Sequence, residues 1–366
     1  VTVILHIQPA LPRYRIDFFE RLSQRYGPTM KVIYSPGSLG ALTRPVSAKW
    51  AIAVGPMQRL AGGLVWQPGV AGLAVGRGDI IVLSGNPRQI STMVLLVRAK
   101  LNGARVVWWG HYWSSTSRRW RQLLRHLPMA VADAILFYTD NEVDAFLAEP
   151  IPTRDRRIVA ALNNGINVEE IRNLRQPFIA AERENALLFI GRLSAKAELE
   201  LGLQALALLR DKAPVLHVIG DGDLRTVLQV QARKLGLGES IVWHGALVDE
   251  ARIAEVANRC LAFMYPGEVG LSLIHAMAYT LPAIVHDEPR RHMPEIAAFR
   301  AGETGLSFAR GDACSLARMI QTMLPDGGRL EQFAAAAAGI VGPSFTTEDM
   351  ADRFEALITR MTEASQ

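Results

Sequence analysis

Residues 262–287 read AFMYPGEVGLSLIHAMAYTLPAIVHD, and this stretch decides how the rest of the chain is read. The apolar run Leu261–Tyr265 predicts a buried strand. Pro266-Gly267 punctuates the chain, and Gly270 stands where a helix begins. Leu271, Ile274, Met277 and Ala278 fall at helical spacing until Leu281-Pro282 stops the helix, and Ala283–Val285 starts another strand. A strand, a glycine-bearing turn and a helix turn free backbone N–H groups and the positive end of the helix dipole toward an anion. A plain β-α-β crossover has the same periodicity, so both readings stay open at this point.

Composition bounds the setting. With 366 residues, 49% of them hydrophobic, the chain can bury two ordinary cores, so two domains are expected. No apolar run reaches the length of a membrane span, and Val1–Ala10 lacks the form of a signal peptide. Cys260 and Cys314 are too few for a disulfide framework and read as packing residues in a reducing, cytoplasmic setting. The net charge of +5 is uneven: residues 1–165 carry 20 Lys and Arg against 9 Asp and Glu. A basic first half implies an anionic surface or partner on that side.

Working outward, the first half alternates strands with amphipathic helices. Val1–Ile7, Lys31–Tyr34, Ile80–Leu83, Val106–Trp109 and Ala134–Tyr138 read as strands, and Tyr14–Tyr26, Gln89–Leu101 and Asn141–Ala148 as helices. That alternation predicts a doubly wound parallel sheet, with ligands beyond the carboxyl ends of its strands. Arg13 and Arg15 follow the first strand and are candidates for an anionic acceptor, against the plainer reading of solvated charges at a helix start. Between Asp79 and Asp133 no acidic residue occurs. Arg88, Arg98, Lys100, Arg105, Arg118, Arg119, Arg121 and Arg125 are interleaved there with Trp108, Trp109, Tyr112, Trp113 and Trp120. Such a mixture suits an anionic membrane interface; partly buried tryptophans beside exposed arginines, or a single-stranded nucleic-acid surface, use the same materials. Membrane contact is the expectation taken forward, without nucleic acid.

The second half opens with the strand Ala186–Ile190, then Gly191-Arg192-Leu193 and Lys196, then a helix over Glu198–Leu209. Val215–Ile219 is a strand ending in Gly220-Asp221-Gly222-Asp223, and Ile241–Trp243 another ending in His244-Gly245. The D-x-D form of Asp221–Asp223 is weighed against a tight strand-to-helix bend with an aspartate cap, and the bend is preferred. Asn163-Asn164-Gly165 is a turn signal, and the polar stretch Arg172–Asn185 with Pro177 reads as a linker. Thr346–Met361 reads as an amphipathic helix with Met350, Phe354, Leu357 and Ile358 on one face.

In order and spacing, these segments resemble family 4 of the retaining glycosyltransferases. The family's donor loop runs E-G-F-G-L-x-x-x-E-A-M-A-x-G-x-P. Gly270-Leu271, Ala276-Met277-Ala278 and Pro282 fit it without a gap; the two glutamates fall on Gly267, with Glu268 beside it, and on His275. Gly191-Arg192-Leu193 resembles the G-R-L-x-x-x-K segment with Lys196 one residue early, and Pro294, Glu295, Gly302, Gly305 and Leu306 match a further run. The resemblance implies the GT-B fold, two Rossmann-like α/β domains facing a central cleft. The boundaries are residues 1–165 on the acceptor side, 166–345 on the nucleotide-sugar side, and a terminal helix, 346–366, crossing back to the first. It implies catalytic roles for His111, Arg192, Lys196 and Glu268. Donor contacts are implied for Gly191, Gly220, Asp221, Gly222, His244, Gly267, Gly270, Leu271, Ser272 and His275. Acceptor or membrane contacts fall to Arg13, Arg15, Trp113, Arg118 and Arg119. The expected substrate is a UDP- or GDP-linked sugar, with a saccharide or lipid-linked saccharide acceptor for envelope or exopolysaccharide assembly, an anionic membrane surface as partner, and no metal or other cofactor. An epimerase of the same fold and a non-catalytic anionic-lipid or nucleic-acid binding protein are the alternatives.

Overall fold

The computed structural model describes residues 2–37, 46–112, 126–148 and 157–363. Two compact units emerge: Val1–Asn163 together with Thr347–Gln366, and Asn164–Thr346.

The first unit contains strands β1 (Ile4–Gln8), β2 (Met30–Tyr34), β3 (Ala51–Ala53), β4 (Gln58–Arg59), β5 (Val65–Trp66), β6 (Ile80–Ser84), β7 (Arg105–Trp109), β8 (Ala134–Phe137) and β9 (Ile158–Ala161). Seven of them form one parallel sheet in the order β3-β2-β1-β6-β7-β8-β9, while β4 and β5 make a small antiparallel pair. Runs such as Ile80–Leu83 are apolar on both faces because helices cover both sides of a parallel sheet. Phe18 and Phe19 of α1 (Ile16–Tyr26) pack on one face with Trp109. Leu95 and Leu96 of α2 (Ile90–Leu101) pack on the other with Trp108. Helix α3 (Asp140–Ala148) follows β8.

Trp108 and Trp109 are consecutive, point to opposite faces and are 0% and 2% exposed. The strand period of two therefore places both in core, not at a membrane surface. Arg105 donates to the carbonyl of Met361, and Lys100 pairs with Asp133 at 2.6 Å, so these cations serve the fold. Trp113, Arg118, Arg119, Arg121 and Arg125 lie outside the described residues. No helix among the described residues is long and apolar enough to cross a membrane.

The second unit contains β10 (Ala186–Ile190), β11 (Val215–Ile219), β12 (Ile241–Gly245), β13 (Ala262–Tyr265), β14 (Ala283–His286) and β15 (Gly305–Phe308). They form a parallel sheet in the order β12-β11-β10-β13-β14-β15. Its helices are α4 (Glu169–Leu174), α5 (Leu199–Leu209), α6 (Arg225–Lys234), α7 (Glu250–Ala257), α8 (Leu271–Ala278), α9 (Ala313–Met323) and α10 (Gly327–Val341). The polar stretch Arg172–Asn185 is not a linker, because it is built into this unit. Arg175 donates to the carbonyl of Ala278 at 3.1 Å, and Arg183 to those of Ala257 and Cys260 at 3.2 and 2.8 Å. Ala278 and Ala257 are the last residues of α8 and α7, so these arginines bond to helix-end carbonyls, the one on Ala257 being shared with the N–H of Cys260.

The final helix, α11 (Thr347–Glu363), belongs to the first unit. Its face of Met350, Phe354, Leu357, Ile358 and Met361 is buried in the cluster that holds Phe18 and Phe19. Burial of each large side chain is worth about 1.5–3 kcal/mol. Arg25 adds ion pairs to Glu348, Asp352 and Glu355, which are half-exposed and contribute less. Ile166 bridges Thr346 within the second unit, so the outgoing and returning strands of chain run side by side there.

Candidate functional site

In open parallel sheets, ligands sit beyond the carboxyl ends of the strands, where the strand order reverses. In the second unit that point lies between β10 and β13. Gly191 and Arg192 leave β10 there, and Pro266–Gly270 leaves β13 and enters α8.

The loops at this edge are knitted together by backbone contacts. Gly191 N–H donates to the carbonyl of Ile219, Leu193 N–H to that of Asp221, and Glu268 N–H to that of Lys196. On its other side the β13–α8 loop is held by His292, whose Nδ1 accepts from Val269 N–H at 3.2 Å, and by Met293 N–H on the carbonyl of Val269. Such approaches leave no room for side chains. A Cβ at Gly220 would lie 1.8 Å from the Gly191 carbonyl oxygen, and one at Gly267 would lie 2.1 Å from that of Lys196. The motif carries a glutamate where Gly267 stands, and this backbone cannot hold one there.

Two positive features remain open at the edge. Arg192 is exposed, and its side chain makes no hydrogen bond or ion pair among the described residues. The amides of Leu271 and Ser272, at the start of α8, also have no acceptor among the described residues. Lys196, whose side chain is 73% exposed, pairs with Glu268 at 2.9 Å across the two loops. The buried Glu295 accepts from Asn164 and lies near Gly270, its Oε2 3.5 Å from where a Cβ would stand. That carboxylate supports the positive end of α8 from within the fold.

His275 lies one turn into α8, and its Nε2 is 2.8 Å from Oε1 of Glu250. The Tyr279 hydroxyl donates to the same oxygen at 2.6 Å. Burial raises the Glu250 carboxyl, but the hydrogen bond and charge of His275, with the Tyr279 hydroxyl, outweigh it and hold the group below its usual range. His275 thus presents a carboxylate that belongs to the first turn of α7. Sequence reading misses Glu250; its signal is the Asp249-Glu250 start of α7, where Asp249 caps the helix.

The other donor-side residues divide. Asp221 accepts from Gly222 N–H and pairs with Arg225 at 3.0 Å, as a turn and helix-start residue does. No cluster of three metal-ligating side chains occurs among the described residues. His244 Nε2 lies 3.0 Å from Nδ1 of His217, and burial with neighbouring charges lowers both imidazoles. His286 and His292 stack with centroids 3.6 Å apart; burial first, then the His292 charge, brings His286 down to about 3.

In the first unit the strand order reverses between β1 and β6. His111 follows β7 with its side chain 41% exposed, its ring 4.3 Å from Tyr138 and its Nδ1 3.8 Å from Oε1 of Glu142. Glu142 is fully buried and accepts from the backbone amides of Tyr112, Tyr138 and Thr139. Arg13 is exposed, whereas Arg15 is 6% exposed and stacks on Trp109. Along the same edge a cavity of about 500 Å³ is lined by Pro9, Ala10, Pro36, Pro56, Met57 and Arg59 among others.

A profile of the family described as glycosyl transferases group 1 matches residues 170–358. EpsD of Bacillus subtilis (strain 168), which carries a provisional glycosyltransferase name, is 27% identical over 244 residues, covering 62% of this chain and 63% of its own length. A solved glycosyltransferase from Rickettsia africae ESF-5 superposes with a TM-score of 0.72 at 13% identity, over 99% of this chain and 98% of that one. HepE of Anabaena, solved with UDP, superposes with a TM-score of 0.66 at 14% identity, over 98% and 100%. Those likenesses establish the GT-B fold.

Proposed function

The chain belongs to the glycosyl transferases of group 1, and from that premise we propose that it moves a sugar from a nucleotide-diphosphate donor to an acceptor hydroxyl. One observation carries the reading: at the β10–β13 reversal the Arg192 side chain and the first amides of α8, without partners among the described residues, stand on a glycine-lined edge. That edge suits a diphosphate, which needs cations, N–H donors and close backbone approach. A neighbour solved with UDP supports a UDP-linked donor.

Retention of configuration fits a same-face displacement. The acceptor oxygen bonds to the anomeric carbon as the bond to the diphosphate oxygen breaks, and the acceptor proton passes to the departing phosphate. Arg192, Lys196 and the α8 amides stabilise the charge that develops on the leaving group. Glu250, steadied by His275 and Tyr279, accepts from the ribose hydroxyls in place of the carboxylate that the motif has at position 275. Glu268, paired with Lys196, and His111 in the first unit are the remaining polar groups assigned to the sugar. The acceptor is a saccharide or lipid-linked saccharide, used at an anionic membrane surface in envelope or exopolysaccharide assembly, and no metal takes part.

The test is a donor screen by thermal shift, since a bound nucleotide stabilises by mass action, followed by Arg192→Ala in a UDP-release assay. Turnover should fall by about 2–4 kcal/mol of transition-state stabilisation, the range for a lost oxyanion donor. Near wild-type turnover in Arg192→Ala rejects the diphosphate assignment.

A further inference from the structure

Among the described residues Arg15 is a buried cation without a counterion. Its residue is 6% exposed, its Nη1 is buried with no hydrogen-bond partner, and no ion pair from a described residue reaches it. Its guanidinium carbon sits 4.4 Å from the ring centroid of Trp109, 5.5 Å from Tyr138 and 5.6 Å from Tyr14. Aromatic faces attract a cation but accept no strong hydrogen bond, so the N–H groups of the buried Nη1 stay unsatisfied.

The nearby carboxylates are committed elsewhere. Asp17 is engaged by Arg21 and by the Thr347 hydroxyl. Asp140 accepts from Asn163 and pairs with Arg353. Glu142 is spent on three backbone amides. Arg15 is moreover the N-cap residue of α1, with no side-chain cap bond, so its charge adds to the positive end of an eleven-residue helix. A buried charge left in this way is costly unless something negative completes it. The place is the carboxyl edge of the sheet, where the chain after β1 comes over the ends of β7 and β8, and ligands of such sheets bind beyond that edge. Tyr14 at 40% and His111 at 41% exposure mark where the cluster meets solvent.

We propose that this cluster is an anion site that takes an acidic group of the acceptor, a carboxylate or a phosphate, on the Arg15 guanidinium. The inference rests on the glycosyl-transfer reading for the word acceptor, while the anion site itself rests on Arg15. The planar fork suits bidentate contact with either group while its face stays on Trp109.

The experiment titrates the whole protein with methyl glucuronide, sn-glycerol 3-phosphate and neutral methyl glucoside by ligand-observed NMR. UDP is titrated separately into the same preparations. Wild-type protein should bind one or both acidic probes and not the glucoside, and whichever acid binds names the source of the charge. Arg15→Met, which keeps the aliphatic packing on Trp109, should weaken the acidic probe by about 10- to 100-fold without changing UDP binding or lowering Tm. Arg15→Lys, which keeps the charge but loses the fork, should fall between. Equal binding of glucoside and glucuronide, or acid binding unchanged in Arg15→Met, overturns the proposal. So does a lower Tm in Arg15→Met with wild-type affinity in Arg15→Lys, which would make Arg15 a structural cation. Failure of UDP to bind counts against the donor reading alone.

Discussion

Thr280 closes α8 with φ at +62°, where the motif has glycine. A left-handed backbone costs a β-branched residue about 1–2 kcal/mol, and glycine returns about 0.5–1 kcal/mol of that through its freer unfolded chain. Thr280→Gly should therefore stabilise the protein by roughly 0.5–1 kcal/mol in urea unfolding. A loss of stability would mean that the Thr280 hydroxyl, which donates to the Tyr279 carbonyl at 2.6 Å, matters more than the strain. Single residues also show where reading a sequence stops. Gly267 is conspicuous in the chain, but its reason, the carbonyl of Lys196 pressed against it in the fold, lies 71 residues away in sequence. Trp108 and Trp109 beside arginines read as an interface until the strand's alternation is known to be covered on both faces.

At the scale of elements, α8 and α7 share one device. Glu250 is held by His275 and Tyr279 through a single oxygen, which leaves the other to accept. Glu250→Gln should weaken UDP binding about tenfold and destabilise the fold by about 1–3 kcal/mol at pH 7, the worth of a charge-assisted hydrogen bond. The folded carboxyl is held below its unfolded range. Its stabilising contribution is therefore complete above about pH 4.5 and is lost as pH falls further, so the gap between mutant and wild type should close there. An unchanged UDP Kd sinks the ribose assignment. Strands such as Ala186–Ile190 and Val215–Ile219 are legible because both faces are buried and no polar residue interrupts the run except His217. The stretch Arg172–Asn185 is misleading for the opposite reason: arginines that bond to helix-end carbonyls look, in sequence, like solvated linker charges.

For the molecule as a whole, five of its eight histidines, His6, His217, His244, His286 and His292, are lowered in the fold. The unfolded chain takes up protons near pH 6.5 that the native state refuses, so stability should fall as pH drops from about 6.5 toward 3. His6 is fully buried, and burial with the Arg15 charge brings it to about 3. Its share of the loss is roughly 2 kcal/mol at pH 5, and His6→Leu should remove that share from a Tm-against-pH series. A parallel displacement of the whole curve would instead indicate packing. Residues 164–346 are one uninterrupted unit with its own sheet and core, so expressed alone they should fold cooperatively and, on the reading above, bind UDP. An unfolded product would show that the unit needs the other residues. The first unit is different, because α11 covers its sheet from the far end of the sequence. On a ribosome adding about 5–20 residues per second, the side of that sheet carrying Phe18 and Phe19 emerges and then waits roughly 10–40 s for its cover. Over that interval the nascent chain shows an apolar patch that a holding chaperone can recognise, and the order of synthesis becomes part of how this protein is made.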